Sequence, residues 1–327
     1  CLRPGDCYVA IMTATLADVA AAAGVSRQVV SAVLAEGRHG GIRYSEETKD
    51  RVLAAIEAVG YRRNRQAAQM RSGRQGALAV LTSNLNTLPF NTLEWMMTFA
   101  SERGQLIVLE RLIPEAGDWA PRLLREHYAD GVIVFETLAD HQRETLARLG
   151  LPLVEVHSLH RDAPGCIVFD IDGAVAEAVR RFREVGARHL AFICGAKSDH
   201  FSVEERWRAL VAHCRSAHLP KPRRIALETT GAIVDLPDID ALLLNNDTLA
   251  PMLYRSAASA GRRIGTDLHL ISFDGSSIAR LVEPRLPSFR IVAKPLAEAA
   301  ITLLNAEIDR PGSTRPHLIP YQLENIA

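Results

Sequence analysis

Arg27 and Gln28 carry the clearest recognition chemistry in this chain. A guanidinium can bond two acceptors on a guanine edge, and a carboxamide can bond an adenine edge, both in a DNA major groove. They follow Gly24-Val25-Ser26, where a left-handed glycine can close one helix and a serine can cap the next. Ser31 lies one turn further on the same helix. A second polar set lies far downstream: Arg206, Asn246 and Asp274, with His157 and the aromatic Phe90. Arg, Asn and Asp together can bond hydroxyl groups in directional pairs.

Enzyme chemistry finds no such support. The chain has no G-x-G-x-x-G, no P-loop, no G-x-S-x-G and no metal-ligand cluster, so no metal and no cofactor is expected. Asp170-x-Asp172 and Asp238-x-Asp240 are carboxylate pairs, but alternate residues on a strand face opposite ways, and both read as loop and cap residues. The five cysteines (Cys1, Cys7, Cys166, Cys194, Cys214) lack C-x-x-C spacing and suit a reducing, cytoplasmic setting as small apolar residues. No apolar run approaches the ~20 residues of a membrane span. Residues 1–12 lack the apolar core of a signal peptide and are expected to be upstream or non-native sequence before a start at Met12.

The chain is neutral overall, but its charge is uneven. Residues 13–75 hold ten basic and six acidic side chains, and residues 76–327 hold 27 basic and 31 acidic. Five arginines and no acid lie between Arg62 and Arg74, a composition suited to phosphate contact.

The elements that must position these residues differ in the two parts. In the first, Thr15 and Asp18 form a capping box, and Leu16, Val19, Ala20 and Ala23 share a helical face. From Ala77 the pattern alternates. Strands are expected at 77–81, 105–109, 131–135, 153–157, 167–169, 190–193, 241–244 and 268–273, with helices between them. That rhythm predicts an α/β fold with parallel sheets covered on both faces. Ligands of such sheets sit beyond the carboxyl ends of strands, where His157, Asn246 and Asp274 fall.

Residues Leu16-Ala17-Asp18-Val19-Ala20, Gly24-Val25-Ser26-Arg27, the helix from Ser45-Glu46-Glu47-Thr48 to Glu57, and Gly60-Tyr61 resemble the DNA-binding head of the LacI/GalR family of bacterial regulators. Asn64, Ala67, Ala68 and Met70, followed by Arg71-Ser72-Gly73-Arg74, resemble that family's hinge helix. Downstream, Val185-Gly186-Ala187-Arg188-His189, Arg206-Trp207-Arg208-Ala209-Leu210, Asn246-Asp247 and Ile271-Ser272-Phe273-Asp274 resemble its periplasmic-binding-protein-like core.

The resemblance implies a three-helix helix-turn-helix head at 13–61, a linker and hinge helix at 62–76, and a two-lobed effector-binding and dimerisation core at 77–327. It places lobe 1 at about 77–165 and 294–310, and lobe 2 at about 166–293 and 311–327, with a last strand near Leu318–Leu323 in lobe 2. It implies DNA contacts from Thr15, Ser26, Arg27, Gln28, Ser31, Arg62 and Asn64, with Met70 as an apolar wedge in the minor groove. It implies effector contacts from Phe90, His157, Arg206, Asn246 and Asp274. The expected protein is a homodimeric, sequence-specific regulator, most readily a repressor, with a double-stranded operator and a sugar-like effector as partners.

Departures from the family pattern qualify this. Ala32 stands where relatives often carry a groove-reading Arg. The loop 35–44 is long and glycine-rich, and the stretch between Arg224 and Asp240 leaves little room for a helix that relatives use against the effector. For Asp274 the competing reading is a cap, and for Arg206 an ion pair with Glu204 or Glu205. The rival functions are a solute-binding protein without a DNA role, and a regulator that has lost its small-molecule response.

Overall fold

The structure is a computed structural model that describes residues 14–34, 42–62, 73–83, 85, 88–89, 91–112, 125–135, 137–196, 200–227 and 238–324. It divides into two compact units, residues 1–73 and 74–327. Among the described residues, no single helix is long and apolar enough to cross a membrane.

In the first unit, Thr15 begins α1 (Leu16–Ala23) with the expected capping box, its Oγ1 and amide both bonded to Asp18. Gly24 ends the helix at φ 64°, and its amide reaches back to Ala20 and Ala21. The chain then turns through 104° into α2 (Arg27–Leu34), within the ~90–120° typical of a helix-turn-helix. Ser45 caps α3 (Glu46–Val59) through the Thr48 amide. Val19, Ala20, Ala23, Val30, Val33, Val52 and Ala55 close one small core.

The second unit holds two six-stranded sheets. The first is ordered β11-β5-β4-β3-β1-β2, from β1 (Ala77–Thr82), β2 (Leu106–Arg111), β3 (Gly131–Val134), β4 (Leu153–Val156), β5 (Cys166–Phe169) and β11 (His317–Ile319). All its pairings are parallel. The second is ordered β12-β10-β9-β8-β6-β7, from β6 (Leu190–Gly195), β7 (Arg223–Leu227), β8 (Ala241–Leu244), β9 (His269–Phe273), β10 (Ser288–Ile291) and β12 (Tyr321–Glu324). Only β12 runs antiparallel, against β10. Helices cover both faces, so β1, β3, β5 and β8 are buried along their whole length, as parallel strands of this kind require. Cys166, Cys194 and Cys214 are free and buried.

The expected lobe limits need correction. Cys166–Phe169 pairs with β4 and therefore belongs to the first sheet, not the second. The terminal strand is two strands. His317–Ile319 pairs with β5, and Tyr321–Glu324 pairs with β10. Pro320 separates them; having no N–H, it cannot continue a ladder, and the chain changes sheet there. The other two crossings follow Phe169 and Ile291, and the helix Ala293–Asp309 packs on the first sheet through Leu296, Ala300, Ile301 and Leu304. The carboxylate pairs do hold loops and caps. Asp170 caps the helix Ile171–Glu184 through the Gly173 amide, and Asp240 accepts from the Arg188 and His189 amides.

Candidate functional site

In the N-terminal unit, Ser26 accepts from the Val29 amide at 3.3 Å and starts α2. Arg27, Gln28 and Ser31 are all exposed, while Val30, Ala32 and Val33 are buried. At 100° per residue the three exposed side chains span one 100° sector of α2. That sector is polar, begins at the helix N-terminus and has the width of a groove-reading face. Ala32 lies with the buried residues, so in this chain its position adds nothing to that face. Thr15 is spent on its own helix cap, with exposed surface left over. Arg62, three residues beyond α3, is exposed. Asn64, Met70 and Phe90 lie outside the described residues.

In the C-terminal unit, the ends of β4, β8 and β9 bring His157, Asn245, Asn246 and Asp274 toward Arg206 on the helix Phe201–Ser216. Arg206 is 5 % exposed. Its Nη1 donates to the Asn245 carbonyl at 2.6 Å and to Asn245 Oδ1 at 2.9 Å, and its Nη2 donates to the Tyr321 hydroxyl at 3.3 Å. Its guanidinium lies 4.0 Å from the Phe273 ring centroid. Among the described residues its buried Nε has no hydrogen-bond partner. The expected alternatives of Glu204 and Glu205 do not hold it. Glu204 pairs with Arg208 and Arg224, and Glu205 with Arg161 at 3.0 Å. That last pair joins the two lobes.

Asp274 ends β9 at φ 103°, and its carboxylate has no hydrogen-bond donor among the described residues. It does not cap the next helix, where Ser276 occupies the cap position. Its accessible surface is large, yet protein crowds it on most sides, as befits a group lining a cleft. Burial, opposed by Arg206 and assisted by Asp247, pushes its pKa up to about 6.

His157 stands at φ 58° and stacks on Phe169 at 4.5 Å between centroids, with Phe201 at 4.7 Å and His200 at 5.4 Å. The last two belong to the other lobe. Burial, then Arg206, His200 and Arg161, hold the imidazole pKa well below its ordinary value, so the ring is neutral near pH 7. Among the described residues its buried Nε2 has no hydrogen-bond partner. Tyr321 sits where the chain crosses between lobes. Its ring meets Phe169, Phe273 and Phe289 edge-on at 5.9, 5.2 and 6.4 Å.

His157, Arg206 and Asp274 thus share one electrostatic environment. Asn246 stands apart from it in one respect: its Oδ1 is taken by Thr248, and the neighbour Asn245 meets Arg206 instead. Sequence reasoning did not single out Asn245, Tyr321 or Phe273 as parts of the site. Only Tyr321 carried a signal, as a polar-tipped aromatic directly after Pro320. Among the described residues no group of three His, Cys, Asp or Glu could hold a metal ion.

An exposed polar face on a helix-turn-helix, followed by a two-sheet α/β core, is the architecture of a DNA-binding transcriptional regulator with a periplasmic-binding-protein-like domain. Residues 15–64 match the bacterial regulatory proteins of the lacI family, and residues 179–325 match the periplasmic-binding-protein-like domain. The chain is 28 % identical to the HTH-type transcriptional regulator TreR of Salmonella typhimurium, over 90 % of this chain and 95 % of that one. It is 24 % identical to the ribose operon repressor of Halalkalibacterium halodurans, over 94 % and 95 %. In structure it resembles the lac repressor dimer bound to operator and an anti-inducer, with a TM-score of 0.72 and 20 % identity over 95 % of this chain and 97 % of that one. It also resembles the regulator CelR in complex with cellobiose, with a TM-score of 0.64 and 25 % identity over 95 % and 98 %. The relatives of this chain are LacI-family bacterial transcriptional regulators, which are not enzymes.

Proposed function

We propose that this protein is a transcriptional repressor that binds a near-palindromic operator as a homodimer and answers to a small, sugar-like effector in the core cleft. The observation that carries the reading is the exposed Arg27, Gln28 and Ser31 sector at the start of α2. Arg27 and Gln28 read base edges. Thr15, Ser26, Arg62 and Asn64 meet the backbone, and Met70 wedges the central step. Dimerisation is supported by the edge strand β2 and the adjacent helix Thr92–Glu102. These expose Leu106 (53 %), Leu109 (40 %) and Met97 (55 %), an apolar set on an open edge that a partner would cover.

In the cleft, the bare Asp274 carboxylate accepts hydroxyl protons, and Arg206 supplies the opposing charge. His157, Asn246 and Phe90 complete the proposed contacts. Coupling to DNA requires that the effector prefer one lobe arrangement over another. The chain also supports a second reading, a regulator without small-molecule response. His157, Phe201 and His200 fill space between the lobes, and three of the five N–H donors of Arg206 are taken by its own chain.

Selection of bound sequences from a random duplex pool at physiological salt tests the function. A two-fold symmetric motif with a central pyrimidine–purine step is the expected result. An unsymmetric motif, or none, refutes the dimeric operator-binding reading. Thermal shifts with saccharides then separate the two readings of the cleft.

A further inference from the structure

Asp274 and Gly275 stand at φ 103° and 60°, two successive positive values. An aspartate adopts such a backbone rarely, and it persists only where the surroundings over-determine it. Here each of three successive amides is tied to a different group. The Asp274 amide donates to the Phe289 carbonyl at 2.8 Å. The Gly275 amide donates to Ser288 Oγ at 3.0 Å. The Ser276 amide donates to Asp247 Oδ2 at 2.6 Å. The Ser288 hydroxyl then donates to Asp247 Oδ1 at 2.6 Å and closes the set. With its own amide and the next two turned toward β10 and Asp247, Asp274 is left with its carboxylate unbonded. Position 275 has to be glycine, because a Cβ there would stand 2.3 Å from Arg290 Cβ.

Asp247 and Ser288 are fully buried. Asp247 has no ion-pair partner among the described residues, so its two charge-assisted hydrogen bonds must offset its desolvation. Both partners are donors, and only a carboxylate accepts on both oxygens. An asparagine would present an NH2 group to one of them.

We infer that Asp247, acting with Ser288, is a positioning residue of the effector site, fixing the 274–276 turn so that the Asp274 carboxylate is presented to ligand. This rests on the effector cleft proposed above. The Asp247 charge also contributes to the raised pKa of Asp274, which shows that the two carboxylates feel each other.

The test uses the full chain as wild type, Asp247→Asn and Ser288→Ala. Hydrogen exchange is read over the segment 273–279, with the helix Ala293–Asp309 as internal reference. Losing a hydrogen bond to a charged group weakens the turn enough for exchange there to rise about tenfold or more, while the reference is unchanged. The Asp274 carboxyl titration, followed by carboxyl-carbon resonance, moves down more in Asp247→Asn than in Ser288→Ala, because only the first removes a like charge, a difference that loosening of the turn alone would not produce. Cellobiose, maltose, glucose and ribose are then compared by calorimetry. Any that binds wild type loses affinity about tenfold or more in both variants. Wild-type exchange in both variants, an unmoved titration, or unchanged saccharide affinity overturns the inference. If no saccharide binds wild type, the sugar-effector reading fails, and exchange and titration by themselves decide whether Asp247 positions Asp274.

Discussion

Replacing Asp274 with Asn is expected to stabilise the core near neutral pH. The carboxylate has no hydrogen-bond donor among the described residues, and burial raises its pKa to about 6 from the ordinary 3.8. The folded state therefore holds this proton more tightly than the unfolded state. Stability is undiminished below about pH 4, falls as pH rises toward about 6, and stays at the lower level above that. At about 1.4 kcal/mol for each tenfold in proton affinity, the full gap would correspond to about 3 kcal/mol. Asp274 keeps much of its surface in water, and solvent screening reduces the figure to about 1 kcal/mol. Asparagine tolerates positive φ and has the same shape, so the change adds no backbone cost. The assay is urea unfolding of wild type and Asp274→Asn at a series of pH values from about 4 to 8. The variant should match wild type at the acid end and exceed it by about 1 kcal/mol at the neutral end. A variant less stable at neutral pH, or a difference that does not change with pH, would refute the reasoning. A stabilising loss of a carboxylate would mean that the native group is retained for something other than folding.

Three further outcomes follow from the same geometry. Arg27→Ala should cost about 1–3 kcal/mol of discrimination at one operator position, whereas Arg62→Ala should weaken binding to all sequences alike; titration against the selected site and its single-base variants separates them. Equal losses across sequences for Arg27→Ala would remove it as a base reader. Arg143→Met leaves the Glu155 carboxylate, fully buried on β4, with only the Leu138 amide among the described residues, and should cost about 3–5 kcal/mol in urea unfolding. Tyr321→Phe keeps the ring contacts but takes an acceptor from Arg206, and should cost about 1–3 kcal/mol by the same measurement.

What could be read ahead of the structure was local. Thr15 and Asp18, Ser45 and Thr48, and the glycines at 24 and 60 specify helix ends within a few residues, and the structure realises each. The buried strands were legible because helices cover both faces and the sequence shows it as short apolar runs. Two strands escaped for the converse reason. Arg223–Leu227 lies at a sheet edge, carries two arginines and keeps most of its residues at least partly exposed, so its pattern reads as loop. Ser288–Ile291 is four residues long and follows Pro287, too short for alternation to show. The single strand expected near 318–323 failed at Pro320, whose missing N–H was visible but whose consequence, a change of sheet, depends on which neighbours are available.

The site divides along the same line. Strand-end position brought His157 and Asp274 forward, because parallel sheets place ligands there. It could not choose between Asn245 and Asn246, which share that position and differ only in which way each side chain leaves the strand. Nor could it find Tyr321, which reaches Arg206 across 115 residues, or Ser288, which reaches Asp247 across 41. Those contacts exist because three chain crossings bring β12 and β10 beside β9. The sequence marks residue types suited to recognition. Which of them remain unbonded, as Asp274 does, depends on how many of the others are consumed by the fold itself. Arg206 illustrates the difference. As a residue type it suggested a ligand contact, yet three of its five N–H groups serve Asn245 and Tyr321. The Asp274 carboxylate is therefore the group in this cleft with the most bonding capacity to offer an effector, and Asp274→Asn should impair effector response more than any single change at Asn246.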